Sequence, residues 1–199
     1  FLNPWGYSVA IISSGSANPT TNGPISGNSM TKAGGGGIGI VAEMADGRVE
    51  GLAIEDNTIA GSGGSIGLFI PSEGVIVRNN TLLSNPAYSA KGIYGIMTYG
   101  TSGVVIENNQ AHDIAVELAY RFESCSGLNV TGNLADSNVD TGIGLIGVTD
   151  SVFSQNIMEG SPNNFWVAPT ILDPGILPGN QIDTTNLVDG KPVWYLEGV

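Results

Sequence analysis

A chain of 199 residues that is 41% hydrophobic can bury one sizeable core, and no run of 18 apolar residues offers a helix that could span a membrane. Eighteen acidic residues face six basic ones (Lys32, Arg48, Arg78, Lys91, Arg121, Lys191) for a net charge of −12. The basic residues never cluster, so nucleic acid finds no electrostatic footprint here and polyanionic sugars are repelled.

In chain order, the opening "FLNPWGYSVAIISSG" lacks Met and a basic n-region, which predicts a mature or trimmed product. It contains the first of a series of strand phrases: "YSVAII", "GIGIV", "IGLFI", "YGIMTY", "VELAYRF", "IGLIGV" and "NFWVA". Between them runs a second series that ends on asparagine: "GLAIEDN", "GVIVRNN", "GVVIENN", "GLNVTGN" and "DSVFSQN". Leu52 and Ile54, Val75 and Val77, Val104 and Ile106, and Leu128 and Val130 alternate with Glu55, Arg78, Glu107 and Thr131. This is period-two patterning with one face buried and one wet.

The asparagines recur as Asn28, Asn57, Asn80, Asn109, Asn133, Asn156 and Asn180, each followed two residues later by an apolar side chain. A period between 20 and 30 residues signals a solenoid, and no helical pattern intervenes to suggest leucine-rich repeats. The expected fold is all-β: a single parallel β-helix of about seven coils over residues 1–199, stacked at ~4.8 Å. Extra residues are expected in loops around "AEMADGR" and "NPAYSAK". Asparagine tolerates the left-handed geometry of a sharp corner, and in register its amide hydrogen-bonds to the coils above and below. The seven are therefore expected to be an inward, structural stack.

These phrases resemble the parallel β-helix repeats of archaeal and bacterial surface proteins, a superfamily shared with periplasmic copper-site maturation proteins and sugar hydrolases. The tail "TTNLVDGKPVWYLEG", residues 184–198, resembles a segment that closes the β-helix in archaeal cell-surface proteins, with Asp189-Gly190-Lys191-Pro192 as its turn. An acidic, β-rich, short chain of this kind is similar to methanogen sheath proteins. That resemblance implies a structural subunit that polymerises into an extracellular envelope.

The chemistry-bearing residues are weighed against that expectation. The acidic pairs Asp136 with Asp140 and Glu43 with Asp46 fall in expected loops, without the basic companion a lyase site needs. His112 is the single histidine, with Asp113 beside it, and one histidine with one cysteine is too few for a zinc site. Gly34, Gly36 and Gly39, and Gly142, Gly144 and Gly147, fit GxGxxG, but no helix follows either, so dinucleotide binding is not expected. No enzymatic activity, cofactor or metal is expected.

Cys125, alone in the chain, stands in a polar corner "RFESCSG" and is a candidate for a disulfide to a second copy. Asn129 and Asn79 head glycosylation sequons, Asn129 being the better acceptor. Trp166, Trp194 and Tyr195 cap the last coil or form an interface. The expected partners are further copies of the chain, with surface glycans a second class. The competing functions are a carbohydrate-active lyase or hydrolase and a glycan-binding adhesive module. Three clustered carboxylates, or two with an arginine, would favour the enzyme, and exposed aromatics along one face the binding module.

Overall fold

A computed structural model describes residues 9–13, 20–21, 23–31, 36–42, 49–60, 64–68, 72–83, 94–114, 118–138, 140–169 and 178–195. The described elements are strands, apart from corners and short turns, and they stack into three long sheets and one small one. The first sheet holds seven parallel strands: Val9–Ser13, Gly36–Ala42, Gly64–Leu68, Tyr94–Tyr99, Leu118–Glu123, Thr141–Ile146 and Asn163–Ala168. The second sheet stacks two- and three-residue strands from Ile25–Ser26 to Gln181–Ile182, and the third runs from Ser29–Thr31 to Leu187–Val188. Each coil visits the sheets in the same order, which is the course of a parallel β-helix. A three-stranded strip of Thr20–Thr21, Val49–Glu50 and Ser72–Glu73 lines one corner of the early coils. In later coils the same corner is marked, among the described residues, by the isolated bridges of Ser126 to Ser102 and Thr149.

Alternation along each short strand sends one side chain inward and its neighbours out. Ile54, Val77, Ile106, Val130 and Phe153 stack in register inside the second sheet; Ile59, Leu82, Ala111, Ala135 and Met158 do the same inside the third. Burying a column of such side chains contributes roughly 1.5–3 kcal/mol for each large one. The corners turn through left-handed residues, among them Asp56, Asn79, Asn108, Gly132 and Gln155 at one corner and Asp113, Ser137 and Gly160 at the next. Asparagine, aspartate and glycine accept this conformation at the lowest steric cost, and so the corner sequences are rich in them.

At the corner between the second and third sheets runs a side-chain amide ladder. Asn28 Nδ2 donates to Asn57 Oδ1, Asn57 to Asn80, Asn80 to Asn109, Asn109 to Asn133 and Asn133 to Asn156, each at 2.9–3.0 Å. Each receiving oxygen also accepts the backbone N–H of the preceding asparagine, as from Asn80 N to Asn109 Oδ1 at 3.0 Å. The last rung departs from the sequence expectation. Asn156 donates to Asn186 Oδ1 at 2.8 Å, not to Asn180. Asn180 belongs one corner earlier, where Ser151 N donates to its Oδ1 and Leu128 N donates to Ser151 Oγ. The final coil holds 30 residues between rungs, and the additional length precedes the strand Gln181–Ile182. An asparagine placed by the usual period therefore lands a corner too soon.

The third sheet ends in a hairpin. Leu187–Val188 pairs antiparallel with Lys191–Pro192 through a two-residue turn at Asp189 and Gly190, both at positive φ. This is the primed-turn geometry that suits strand twist. Lys191 and Pro192 are exposed, and an edge strand bearing lysine and an imide without N–H is a poor template for another strand.

Candidate functional site

The outer face of the first sheet carries the site. Its register sets Met97, Arg121, Gly144 and Trp166 in one column, and Leu118, Thr141 and Asn163 in another. Gly144 has no side chain, and a Cβ built there would run into Leu118 Cδ2 and approach Trp166 Cε3 at 3.5 Å. Leu118 thus lies flat over the glycine and forms the floor of a groove of about 460 Å³, with Trp166 as one wall and Ile146 beside it. The indole is 45% exposed, one of the most open large apolar side chains described.

The polar contribution comes from Arg121, Asp140 and Asn163. Arg121 donates from Nε (3.0 Å) and Nη2 (2.7 Å) to Glu123 Oε2, so its charge is matched on its own strand. Asn163 Nδ2 donates to Asp140 Oδ1 at 2.9 Å and Asn163 N to Asp140 O at 2.9 Å, clamping the exposed carboxylate at the groove's end. Asp140 has no ion-pair partner among the described residues. Thr141, from the adjoining strand, is buried beneath. An apolar floor, one aromatic wall and a few converging polar groups can hold a small polar molecule that has an apolar face.

The residues expected to carry chemistry lie elsewhere. His112 ends the strand Gln110–His112, and its partner is Asp136 of the following coil (Nδ1 to Oδ2, 3.3 Å), not the adjacent Asp113, which turns the corner at φ 52°. Ser137 Oγ donates to Asp136 Oδ1 at 2.6 Å, so the hydroxyl engages the carboxylate and not the imidazole. These contacts, the serine hydrogen bond first and then His112, hold Asp136 below the ordinary aspartate value. Asp136 is therefore a strand residue of the third sheet tied to its neighbours, whereas Asp140 lines the groove on the first. Glu43 and Asp46 lie outside the described residues, as do "AEMADGR" beyond Ala42, "NPAYSAK" and Gly34. No group of three metal-ligating side chains occurs among the described residues.

The expectation of an interchain disulfide is overturned by the placement of Cys125. The thiol is 2% exposed and faces inward, within 3.1 Å of Glu123 O, 3.2 Å of Thr98 Oγ1 and 3.4 Å of Thr101 Oγ1. A bridge needs Cβ atoms within about 4.5 Å of each other, and the backbone of the corner stands between this sulfur and any second copy. Asn129 and Asn79 are both exposed, Asn129 on a strand and Asn79 at a corner with φ 55°. Trp194 is 78% exposed just past the hairpin, whereas Tyr195 is half-buried against the core.

A family model described as "Right handed beta helix region" matches residues 1–158. The chain belongs to that family. Searches of the curated proteins and of the solved structures return no match. Within the described β-helix the groove lies on the sheet with the longest strands, over the last three of them. Sequence reasoning missed it because residues that stack in one column of the groove are more than 20 positions apart. Aligning the coils would bring Arg121, Gly144 and Trp166 into one column and would have been the signal.

Proposed function

We propose that this chain is a non-enzymatic, extracellular β-helix module that binds a glycan in the groove of its first sheet. The exposed Trp166 indole over a groove floored by Leu118 carries this reading. Sugar rings present a face of C–H bonds that stacks on indole, while Asp140 and Asn163 offer hydrogen-bonding groups at the rim. Hydrolysis of a glycosidic bond takes a pair of carboxylates flanking the bond. Among the described residues the groove lining supplies one, Asp140, and the nearby Glu123 is held by Arg121.

Retention on a panel of insoluble polysaccharides tests the proposal, with the wild type compared with Trp166→Ala and Trp194→Ala. Retention that is lost with Trp166 and kept without Trp194 supports it. A wild type that passes through every polysaccharide, or one retained equally after loss of Trp166, sinks it.

A second reading, the self-assembling envelope or sheath subunit, is favoured by a different surface. Leu134, Ile157 and Leu187 form consecutive outward rungs of the third sheet, and Ile157 is 39% exposed. With Lys191–Pro192 at the end of that sheet, such assembly would be lateral and not end to end. Electron microscopy and sedimentation of the native material separate the readings: ordered arrays favour the envelope, a monodisperse monomer removes it.

A further inference from the structure

We infer that the groove selects a sugar bearing a protonated amine, a 2-amino-2-deoxyhexose, over neutral and uronate sugars, and that Asp140 reads that amine; the inference rests on the glycan reading above. The register gives the groove its length. Thr141 pairs with Asn163 and Gly144 with Trp166, three residues further on, or roughly 10 Å along the strand. That span holds two linked hexose rings, one against Trp166 and Ile146 and the next at Asp140 and Asn163.

The charges differ at the two ends. Arg121 is satisfied by two hydrogen bonds to Glu123 and adds no net positive charge to the groove. Asp140 uses Oδ1 to accept from Asn163 and retains Oδ2 for a ligand. Because Asn163 donates its amide nitrogen to Asp140, its Oδ1 is left as a second acceptor at the same end. Among the described residues, two acceptors and one uncompensated negative charge at this end suit an ammonium group, which only donates. They disfavour a uronate carboxylate, which only accepts, and the chain's net charge of −12 acts in the same direction. Trp166 reinforces the selection, since an indole face attracts a cation as well as a sugar's C–H face.

Titration calorimetry of the full chain tests this with three tetrasaccharides: β-1,4-linked glucosamine, its fully N-acetylated counterpart and α-1,4-linked galacturonate. The titrations are run at about pH 5.5, where the sugar amines are protonated. Glucosamine tetramer is expected to bind about two- to fivefold more tightly than the acetylated one, the worth of one exposed charge pair. The preference should vanish in Asp140→Asn and shrink in about 0.5 M salt, while Trp166→Ala should weaken both ligands together. Circular dichroism of Asp140→Asn confirms that the exposed substitution leaves the fold intact. Equal affinity for the amine and acetamide forms, a preference that survives Asp140→Asn, or tighter binding of galacturonate overturns the inference. If equal binding still depends on Trp166, the glycan reading stands and only amine selection falls. If none of the three binds and no polysaccharide retains the protein, both fall.

Discussion

Replacing Asn109 by leucine probes the ladder at its centre. The Asn109 amide makes five hydrogen bonds: Oδ1 accepts from Asn80 N (3.0 Å) and Asn80 Nδ2 (2.9 Å), and Nδ2 donates to Val77 O, Glu107 O and Asn133 Oδ1 at 2.9, 3.1 and 3.0 Å. Not all of these losses weigh equally. Asn80 Nδ2 keeps Ile54 O and Arg78 O, Asn133 Oδ1 keeps Asn109 N, and Glu107 O keeps Asn79 N. The group left without a partner is the buried Asn80 N–H, at a cost of about 1–3 kcal/mol. Fitting a branched apolar side chain into a polar corner adds about 1 kcal/mol or more, so the total is about 2–4 kcal/mol. With an m-value of about 2 kcal/mol/M, urea unfolding followed by circular dichroism should show a midpoint lower by about 1–2 M. A midpoint lowered by less than a quarter of that would mean that the ladder does not contribute net stability, and the reasoning would be refuted.

Asn138 gives the opposite result. Its Oδ1 accepts from Ile114 N, but its buried Nδ2 has no partner; Asn138→Ser keeps an acceptor, as Ser151 does for Leu128, and should leave the urea midpoint unchanged or slightly raised. Gly142→Ala should destabilise by more than about 2 kcal/mol, because the new Cβ meets Asn164 O at 2.5 Å against backbone that has no room to shift; Gly144→Ala should spare the melting temperature but lose ligand, since Leu118 can swing outward into the groove. Cys125 should resist alkylation in the native protein, react after unfolding and run as monomer without reductant. Asp136, whose folded value is depressed, contributes stability that is present above its unfolded pKa and is lost as pH falls through the folded one. The melting temperature of Asp136→Asn should therefore match the wild type at about pH 2 and fall short of it at neutral pH, by a small amount because the carboxylate is partly solvated.

The fold was legible because both of its determinants are local. Alternation in phrases such as "GVVIENN" marks the short strands, and an asparagine that closes each phrase marks the corner. The ladder's end was not legible: Asn180 and Asn186 both sit before short strands with an apolar residue two positions on, Ile182 and Val188, and only the pairing with Phe153 and Met158 tells them apart. Cys125 was misread because its polar neighbours, Ser124 and Ser126, are outward corner residues. Aligned by coil, however, it occupies the inward position shared by Thr101 and Val148, both buried. The groove depends on an absence, the missing side chain of Gly144, whose meaning appears only when Leu118 and Trp166 are stacked on either side of it.

Every side-chain-to-side-chain bond of the ladder runs in the same sense, from the earlier coil to the later one. The rod is thus a polar object, with its side-chain dipoles summed along one axis like beads threaded in a single orientation. Neighbouring bonds polarise one another, so a rung near the middle draws strength from both directions and a terminal rung from only one. Unwinding should accordingly begin at an end and travel inward, and a whole coil could be added or removed without reversing any bond, whereas half a coil could not.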